Sequence, residues 1–134
     1  MEKIKYKIDE TKHMFEREFG QIANKFDVID LPIEIAKENG AKEVNMPGVY
    51  LFWHPEFGVV KVGKSQGNSK KRALEHIRDN TKNDQVEMAA TGSDPNTRLI
   101  LFNLVDKADM HWLLSLEAYF EWNVHPIIRS GRMG

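Results

Sequence analysis

The chain has 134 residues, a formal net charge of −1 and no cysteine. This length suits one domain with a hydrophobic core of its own, and we expect no second domain. A nearly neutral chain attracts a polyanion only weakly, so any nucleic-acid binding must come from local clusters of basic residues. The lack of cysteine excludes disulfides and thiolate metal sites and suits a cytoplasmic protein.

The start of the chain lacks the apolar segment of a signal peptide. No apolar run approaches the ~20 residues that are needed to span a bilayer. We therefore expect a soluble protein with no membrane partner.

Residues 1–45 carry mainly helical signals. Residues 1–8 alternate apolar side chains with lysines, which indicates an edge strand or an ordered arm. Asp9 or Thr11 then caps a predicted helix. Its apolar side chains recur at helical spacing, at Phe15, Phe19, Ile22 and Phe26.

A second short helix is predicted over residues 30–40. Pro32 falls in its first turn, and Gly40 is its stop signal. Residues 1–45 are too few to bury a core of their own, so we expect them to pack as a helical addition onto a core formed by residues 46–128.

A β-hairpin is predicted in the middle of the chain. The runs 48–53 and 59–62 are rich in β-branched and aromatic residues, and a turn separates them. A four-residue loop at 54–57 would place Tyr50 directly opposite Lys61, with both side chains on one face of the sheet.

A helix should follow the hairpin. Gly63 ends the second predicted strand, and residues 66–69 form a polar loop with a good helix N-cap. Arg72 and His76 are four residues apart and share a face of the helix. A guanidinium and an imidazole would therefore lie beside the hairpin, near the phenol and the ammonium group.

The rest of the chain predicts one more strand and one more helix. Residues 79–96 are polar and suggest a loop with one short element, whereas the apolar run 97–105 predicts a third strand covered on both faces. Asp109 is the predicted N-cap of a helix that runs to Asn123, and a short basic tail follows. The expected fold is α/β, with a small three-stranded, mainly antiparallel sheet flanked by helices and extended by the N-terminal helices.

Several of these residues form one pattern. Gly-Val-Tyr at 48–50 is followed by Lys-Val-Gly-Lys-Ser at 61–65 and by Arg-x-x-x-His at 72–76. The pattern resembles the GIY-YIG nuclease superfamily. That family has one strand motif that ends in tyrosine, a second that begins with tyrosine, and then a helix with Arg-x-x-x-His. Glu117, nine residues before Pro126, is similar to the metal-binding glutamate of that family. The resemblance covers most of the chain.

The resemblance implies a metal-dependent endonuclease that hydrolyses phosphodiester bonds in DNA. Its implied catalytic residues are Tyr50, Lys61, Arg72, His76 and Glu117. Glu117 would hold one Mg²⁺ or Mn²⁺ ion, since both ions prefer carboxylate and water ligands; Glu121, one turn on, is its rival. The residues expected to bind DNA are Lys64, Ser65, Lys70, Lys71 and Arg129.

Two positions depart from the family pattern, and other interpretations stay open. Lys61 stands where the family has a second tyrosine, and Arg129 stands about where it often has an asparagine. The chain could thus be a nucleic-acid-binding module of the same fold whose catalysis is impaired. Taken alone, its basic residues are typical of a solvated helix face. The oligomeric state is not predicted.

A P-loop signature is also present but is disfavoured. Residues 58–65 match G-x-x-x-x-G-K-S. A phosphate-binding loop needs a compact backbone that leads directly into a helix, whereas residues 59–62 favour a strand and the predicted helix begins several residues too late.

Overall fold

The computed structural model describes residues 5–129. Four strands and five α-helices form within this part of the chain. In chain order they are α1 (Ile8–Phe19), β1 (Phe26–Pro32), α2 (Ile33–Glu38), β2 (Gly48–His54), β3 (Gly58–Ser65), α3 (Ser69–Arg78), α4 (Met88–Ser93), β4 (Arg98–Leu104) and α5 (Trp112–Val124).

The four strands form one antiparallel sheet in the order β1-β4-β2-β3. Strand β4 lies between β1 and β2, and its residues from Leu99 to Leu104 are all buried. This confirms the prediction of a strand that is covered on both faces. The predicted α/β class is confirmed as well, but the predicted count of three strands is wrong.

The two faces of the sheet build two apolar clusters. On one face, side chains such as Leu51 and Phe102 pack with Phe15 of α1 and Leu116 of α5. On the other face, Tyr50, Phe52, Leu99 and Leu101 pack with Ile33 of α2, Ala73 of α3 and Met88 of α4. The alternation of side chains along each strand therefore places α3 and α5 on opposite faces.

The predicted helix through Phe26 is wrong in its second half. Helix α1 ends at Phe19, a 3-10 segment covers Gly20–Lys25, and Phe26 begins β1. Phe15 and Phe26 do share the core, with ring centroids 5.6 Å apart in an edge-to-face contact. The apolar spacing therefore indicated core residues correctly. It predicted one helix for all of them, but pairing with β4 makes the later residues a strand.

The predicted helix over residues 30–40 is shorter than expected. Residues 30–32 complete β1, and α2 covers only Ile33–Glu38, with Pro32 immediately before it. The predicted helical addition at 1–45 therefore also supplies an edge strand of the sheet. For residues 1–8 an edge strand or an ordered arm was expected; the edge strand is wrong where it can be judged, because residues 5–7 form no strand and Ile8 begins α1. Residues 1–4, like the end of the basic tail at 130–134, lie outside the described residues.

The predicted hairpin is present with a different register. Its loop has three residues, 55–57, and Gly58 closes it in the left-handed region at φ +72°. A bulge opposite Phe52 adds one more residue to β3. Tyr50 consequently pairs with Gly63 rather than with Lys61, which lies opposite Phe52.

The change of register leaves the predicted face intact. Tyr50 pairs two residues further along β3 than predicted, and a shift of two keeps side chains on the same face. Strand β3 also continues past Gly63 to Ser65, so residues 58–65 are strand throughout rather than a phosphate-binding loop. Helix α3 begins as predicted, with the Asn68 side chain accepting the N–H of Lys71.

The predicted N-cap of the last helix is wrong. Asp109 ends a 3-10 segment, and its carboxylate forms an ion pair with Lys25 at 3.2 Å. Helix α5 begins at Trp112, after His111. The short element expected within residues 79–96 is α4. None of the helices in residues 5–129 is long and apolar enough to cross a membrane.

Candidate functional site

The residues predicted to be catalytic come together at the β3 edge of the sheet. Tyr50 of β2 and Lys61 of β3 point to the face that α3 covers, and α3 supplies Arg72 and His76. Glu117 lies on α5, which packs against β3 from the opposite face. Within residues 5–129 no strand lies beyond β3, and only Ile127 and Ile128 pair with its first half, so the two faces of the sheet meet along the rest of this edge.

Tyr50 is held between Gly63 and His76. Its hydroxyl forms a 2.6 Å hydrogen bond with Nε2 of His76. A Cβ atom on Gly63 would overlap the phenol ring and its oxygen, so the tyrosine occupies space that only a glycine leaves open. This close approach gives the physical reason for a glycine at position 63.

His76 links Tyr50 to a residue that the sequence did not indicate. Its Nδ1 lies 2.8 Å from Oγ1 of Thr81, which makes a hydrogen-bonded chain from threonine through imidazole to phenol. Burial lowers the pKa of His76 to about 4, with smaller contributions from the charges of Lys61 and Arg72. The imidazole is therefore neutral near pH 7. Thr81 lies in a stretch expected to be a loop, and no sequence signal marks it.

The phenol of Tyr50 is kept protonated. Burial raises its pKa above the usual value; the positive charge of Arg72 opposes this shift, and the negative charges of Glu117 and Glu75 add to it. A phenolate is therefore not available near neutral pH. In this state Tyr50 can orient a water molecule or transmit a proton, but it cannot act as a preformed base.

Lys61 is buried, with 6% of its surface exposed. Burial lowers its pKa; Glu121 opposes this effect, Arg72 adds to it and Glu117 opposes it. The direction is that expected for a lysine used as a base. A lowered pKa makes it easier for Lys61 to lose its proton at moderately alkaline pH and so to accept one from water. The pKa of Tyr50 is raised instead, and that of His76 moves further below neutral.

Two buried carboxylates of α5 face two basic side chains. Oε1 of Glu117 lies 3.2 Å from Nζ of Lys64, and Oε1 of Glu121 lies 3.1 Å from Nε of Arg129. The glutamates are four residues apart, so they lie on one face of the helix. The structure therefore places both the predicted metal ligand and its rival at the β3 edge.

The residues predicted to bind DNA divide into two groups. Lys64 and Arg129 form the ion pairs just described, while the hydroxyl oxygen of Ser65 accepts backbone N–H groups from Gly67 and Asn68 and shapes the loop before α3. The other two, Lys70 and Lys71, lie at the start of α3.

A basic groove runs along the outer surface of α3, with a volume of about 460 Å³. It is lined by Asn45, Asn68, Lys70, Lys71, Leu74, Glu75 and Arg78. We call this the α3 groove. Lys70 donates a 2.6 Å hydrogen bond to the carbonyl of Asn39, whereas Lys71 is exposed. The sequence indicated the lysines of the groove. It did not indicate Asn45, whose place in the lining depends on how the chain before β2 packs.

Glu117 has the donor chemistry for the implied metal ion. Within residues 5–129, no group of three or more histidine or acidic side chains is arranged to hold a metal. Mg²⁺, however, commonly takes one or two carboxylates and completes its shell with water and substrate phosphates. One carboxylate at the β3 edge fits this type of site, provided that the ammonium group of Lys64 moves away.

In comparisons with known proteins, the chain matches no protein-family model, no curated protein and no solved structure. These comparisons assign neither a family nor an activity. The function must therefore be inferred from the geometry and charge of the site.

Proposed function

We propose that this protein is a metal-dependent endonuclease of the GIY-YIG type that hydrolyses phosphodiester bonds in DNA. The observation that carries the proposal is the meeting of Tyr50, Lys61, Arg72, His76 and Glu117 at one sheet edge. They come from four elements, and their charges act on one another: Arg72 and Glu117 both influence the pKa values of Tyr50 and Lys61. Tyr50, Lys61 and Glu117 are buried, and burying polar groups costs free energy that a solvated helix face would not spend.

Arg72 is the proposed phosphate-binding residue. Its side chain is 42% exposed, and its nearest acidic partner, Glu75, is 3.8 Å away. At this distance the pair is too long for a hydrogen bond, so the planar N–H groups remain able to bind phosphate oxygens. Arg72 would stabilise the negative charge that builds up on the phosphate in the transition state.

In this mechanism Tyr50 orients the attacking water and Lys61 deprotonates it. The protonated Tyr50 orients the water, and His76 fixes the direction of the phenol through the 2.6 Å hydrogen bond. In its neutral form the amine of Lys61 takes a proton from the water as the oxygen attacks phosphorus; the bond from phosphorus to the leaving sugar oxygen breaks, and that oxygen takes a proton from solvent. Lys61 thereby replaces the second tyrosine of the family pattern with a group of lowered pKa.

Glu117 is the proposed metal ligand, and a bound Mg²⁺ or Mn²⁺ ion supplies positive charge at the phosphate. The decisive comparison is Glu117→Gln, with exposed Glu18→Gln as the matched control. We expect Glu117→Gln to abolish plasmid cleavage in magnesium while duplex binding stays within about threefold, because ligand loss acts mainly on the transition state. Full cleavage by this variant, or by the wild type in chelator, contradicts the proposal.

A binding module without catalysis is the second candidate. It is favoured by the low exposure of Lys61 and of Glu117, which is only 5% exposed, and by the ammonium group already at the carboxylate. Duplex binding with no cleavage in either magnesium or manganese, at any pH from about 7 up to about 10, just below the ordinary pKa of lysine, would establish this alternative.

A further inference from the structure

The ion pair between Lys64 and Glu117 occupies the proposed metal ligand. Nζ of Lys64 lies 3.2 Å from Oε1 of Glu117, and the side chains are 29% and 7% exposed. The ammonium group is thus the more accessible partner. It belongs to β3 and reaches across to α5, so it links the strand and the helix that border the site.

An ammonium group and a divalent ion cannot both bind this oxygen without strong repulsion. Coulomb repulsion grows with the product of the charges, so a divalent ion is repelled twice as strongly as a second ammonium group would be. A divalent ion therefore meets a carboxylate that is already neutralised.

Lys64 is the cation that is free to leave. Lys61 is buried within the sheet face, whereas Lys64 has a partly exposed side chain on a flexible stem. A DNA phosphate offers the ammonium group an alternative anionic partner. Arg72, the proposed phosphate-binding residue, would bring the backbone of the duplex to the same edge of the molecule.

Building on the proposed nuclease function, we propose that Lys64 is an electrostatic latch on the metal site. In the free protein it holds Glu117 and excludes the divalent ion; when DNA binds, its ammonium group moves to a phosphate and releases the carboxylate. DNA and metal then bind cooperatively, and each must strengthen the binding of the other by the same factor.

The test measures Mn²⁺ affinity by electron paramagnetic resonance, with and without a non-cleavable phosphorothioate duplex. For the wild type we expect the duplex to tighten Mn²⁺ binding at least about tenfold, within the range usual for coupled sites. Lys64→Met should bind Mn²⁺ tightly without DNA and gain less than about threefold from it. Lys107→Met removes an exposed lysine elsewhere and should keep the wild-type response.

A second variant protects the test against misfolding. Lys64→Met leaves Glu117 without its ammonium partner and could unfold, which thermal melting would reveal. Lys64→Arg keeps the charge and offers a forked donor, so it should hold the carboxylate at least as firmly and should bind Mn²⁺ no better than the wild type without DNA. Tighter Mn²⁺ binding by Lys64→Arg overturns the latch.

The two proposals fail in different ways. If the wild type and Lys64→Met bind Mn²⁺ equally without DNA, and Glu117→Gln abolishes this binding, the latch is wrong and the metal site stands. If Glu117→Gln binds Mn²⁺ as the wild type does, with and without the duplex, the metal site itself is wrong and the latch falls with it.

Discussion

Tyr50 and Gly63 are a matched pair of residues. They lie opposite each other on β2 and β3, and the phenol fills the space where a side chain at 63 would be. The sequence identified Tyr50 as a candidate site residue and Gly63 as the end of a strand but could not pair them, because the three-residue loop and the bulge shift the register by two. The identity of the site residues was therefore easier to predict than their contacts.

Gly63→Ala should disturb this pair. The new methyl group would overlap the Tyr50 ring, so we expect a loss of about 1–3 kcal/mol in the free energy of unfolding, as for other overpacked sites, together with loss of cleavage. Urea denaturation measures the first effect. Gly40→Ala is the control, since nothing lies within 4 Å of its added Cβ atom. Equal stability of the two variants would contradict the packing described here.

Lys61→Met separates two roles of the buried lysine. The lowered pKa means that the neutral amine forms below ~10.4, the ordinary value, so a base role makes the cleavage rate rise with pH in the alkaline range below that value. Lys61→Met should remove this rise. If the lysine only holds a phosphate, the variant instead binds DNA less tightly and keeps the pH profile. Unchanged cleavage at every pH would exclude both roles.

Individual elements were predictable where their own sequence decides their conformation. Strand β4 is a continuous apolar run buried on both sides, and α3 begins at an asparagine cap, so local signals were sufficient. Strand β1 was missed because Phe26 continues the helical spacing of α1, while its conformation depends on pairing with β4, which comes much later in the chain. The same pairing also shortened α2.

The start of α3 depends on one buried side chain, Asn103 of β4. Its oxygen accepts the hydroxyl of Ser69, and its nitrogen donates to the carbonyls of Glu43 and Val44 at 2.9 and 3.2 Å. Asn103→Leu would leave these groups buried without partners, so we expect a loss of at least about 2 kcal/mol in unfolding free energy. Urea denaturation would measure it. Exposed Asn24→Leu should change stability by less than about 0.5 kcal/mol; a similar loss in both variants would contradict an anchoring role for Asn103.

At the scale of the whole molecule, the charge is distributed unevenly. The net charge is −1, yet the α3 groove gathers three cationic side chains around one acidic one. The clustering was visible in the sequence, because the basic residues are close together in the chain. The burial of Glu117 and Glu121 was not, because it depends on how α5 packs against β3.

Duplex binding should weaken with salt. We expect the logarithm of the affinity to fall with the logarithm of salt concentration by about 0.9 for each phosphate neutralised. A Lys71→Met/Arg78→Met variant should have a slope that is shallower by about 0.9 for each phosphate that it no longer neutralises, whereas Lys107→Met should keep the wild-type slope. Fluorescence anisotropy with a labelled duplex measures this. Equal slopes for all three proteins would place the DNA elsewhere.

The short segment after α5 determines how the sheet meets other molecules. The N–H groups of Ile127 and Ile128 donate to the carbonyls of Val59 and Val60, so this part of the β3 edge is already hydrogen-bonded. The opposite edge, β1, carries the exposed Asp27, whose charge disfavours strand addition. A second copy of the chain would therefore find the carbonyls of Val59 and Val60 already occupied. The segment after α5 thus covers part of one border of a strongly apolar sheet, which lowers the tendency of that border to add strands from other chains.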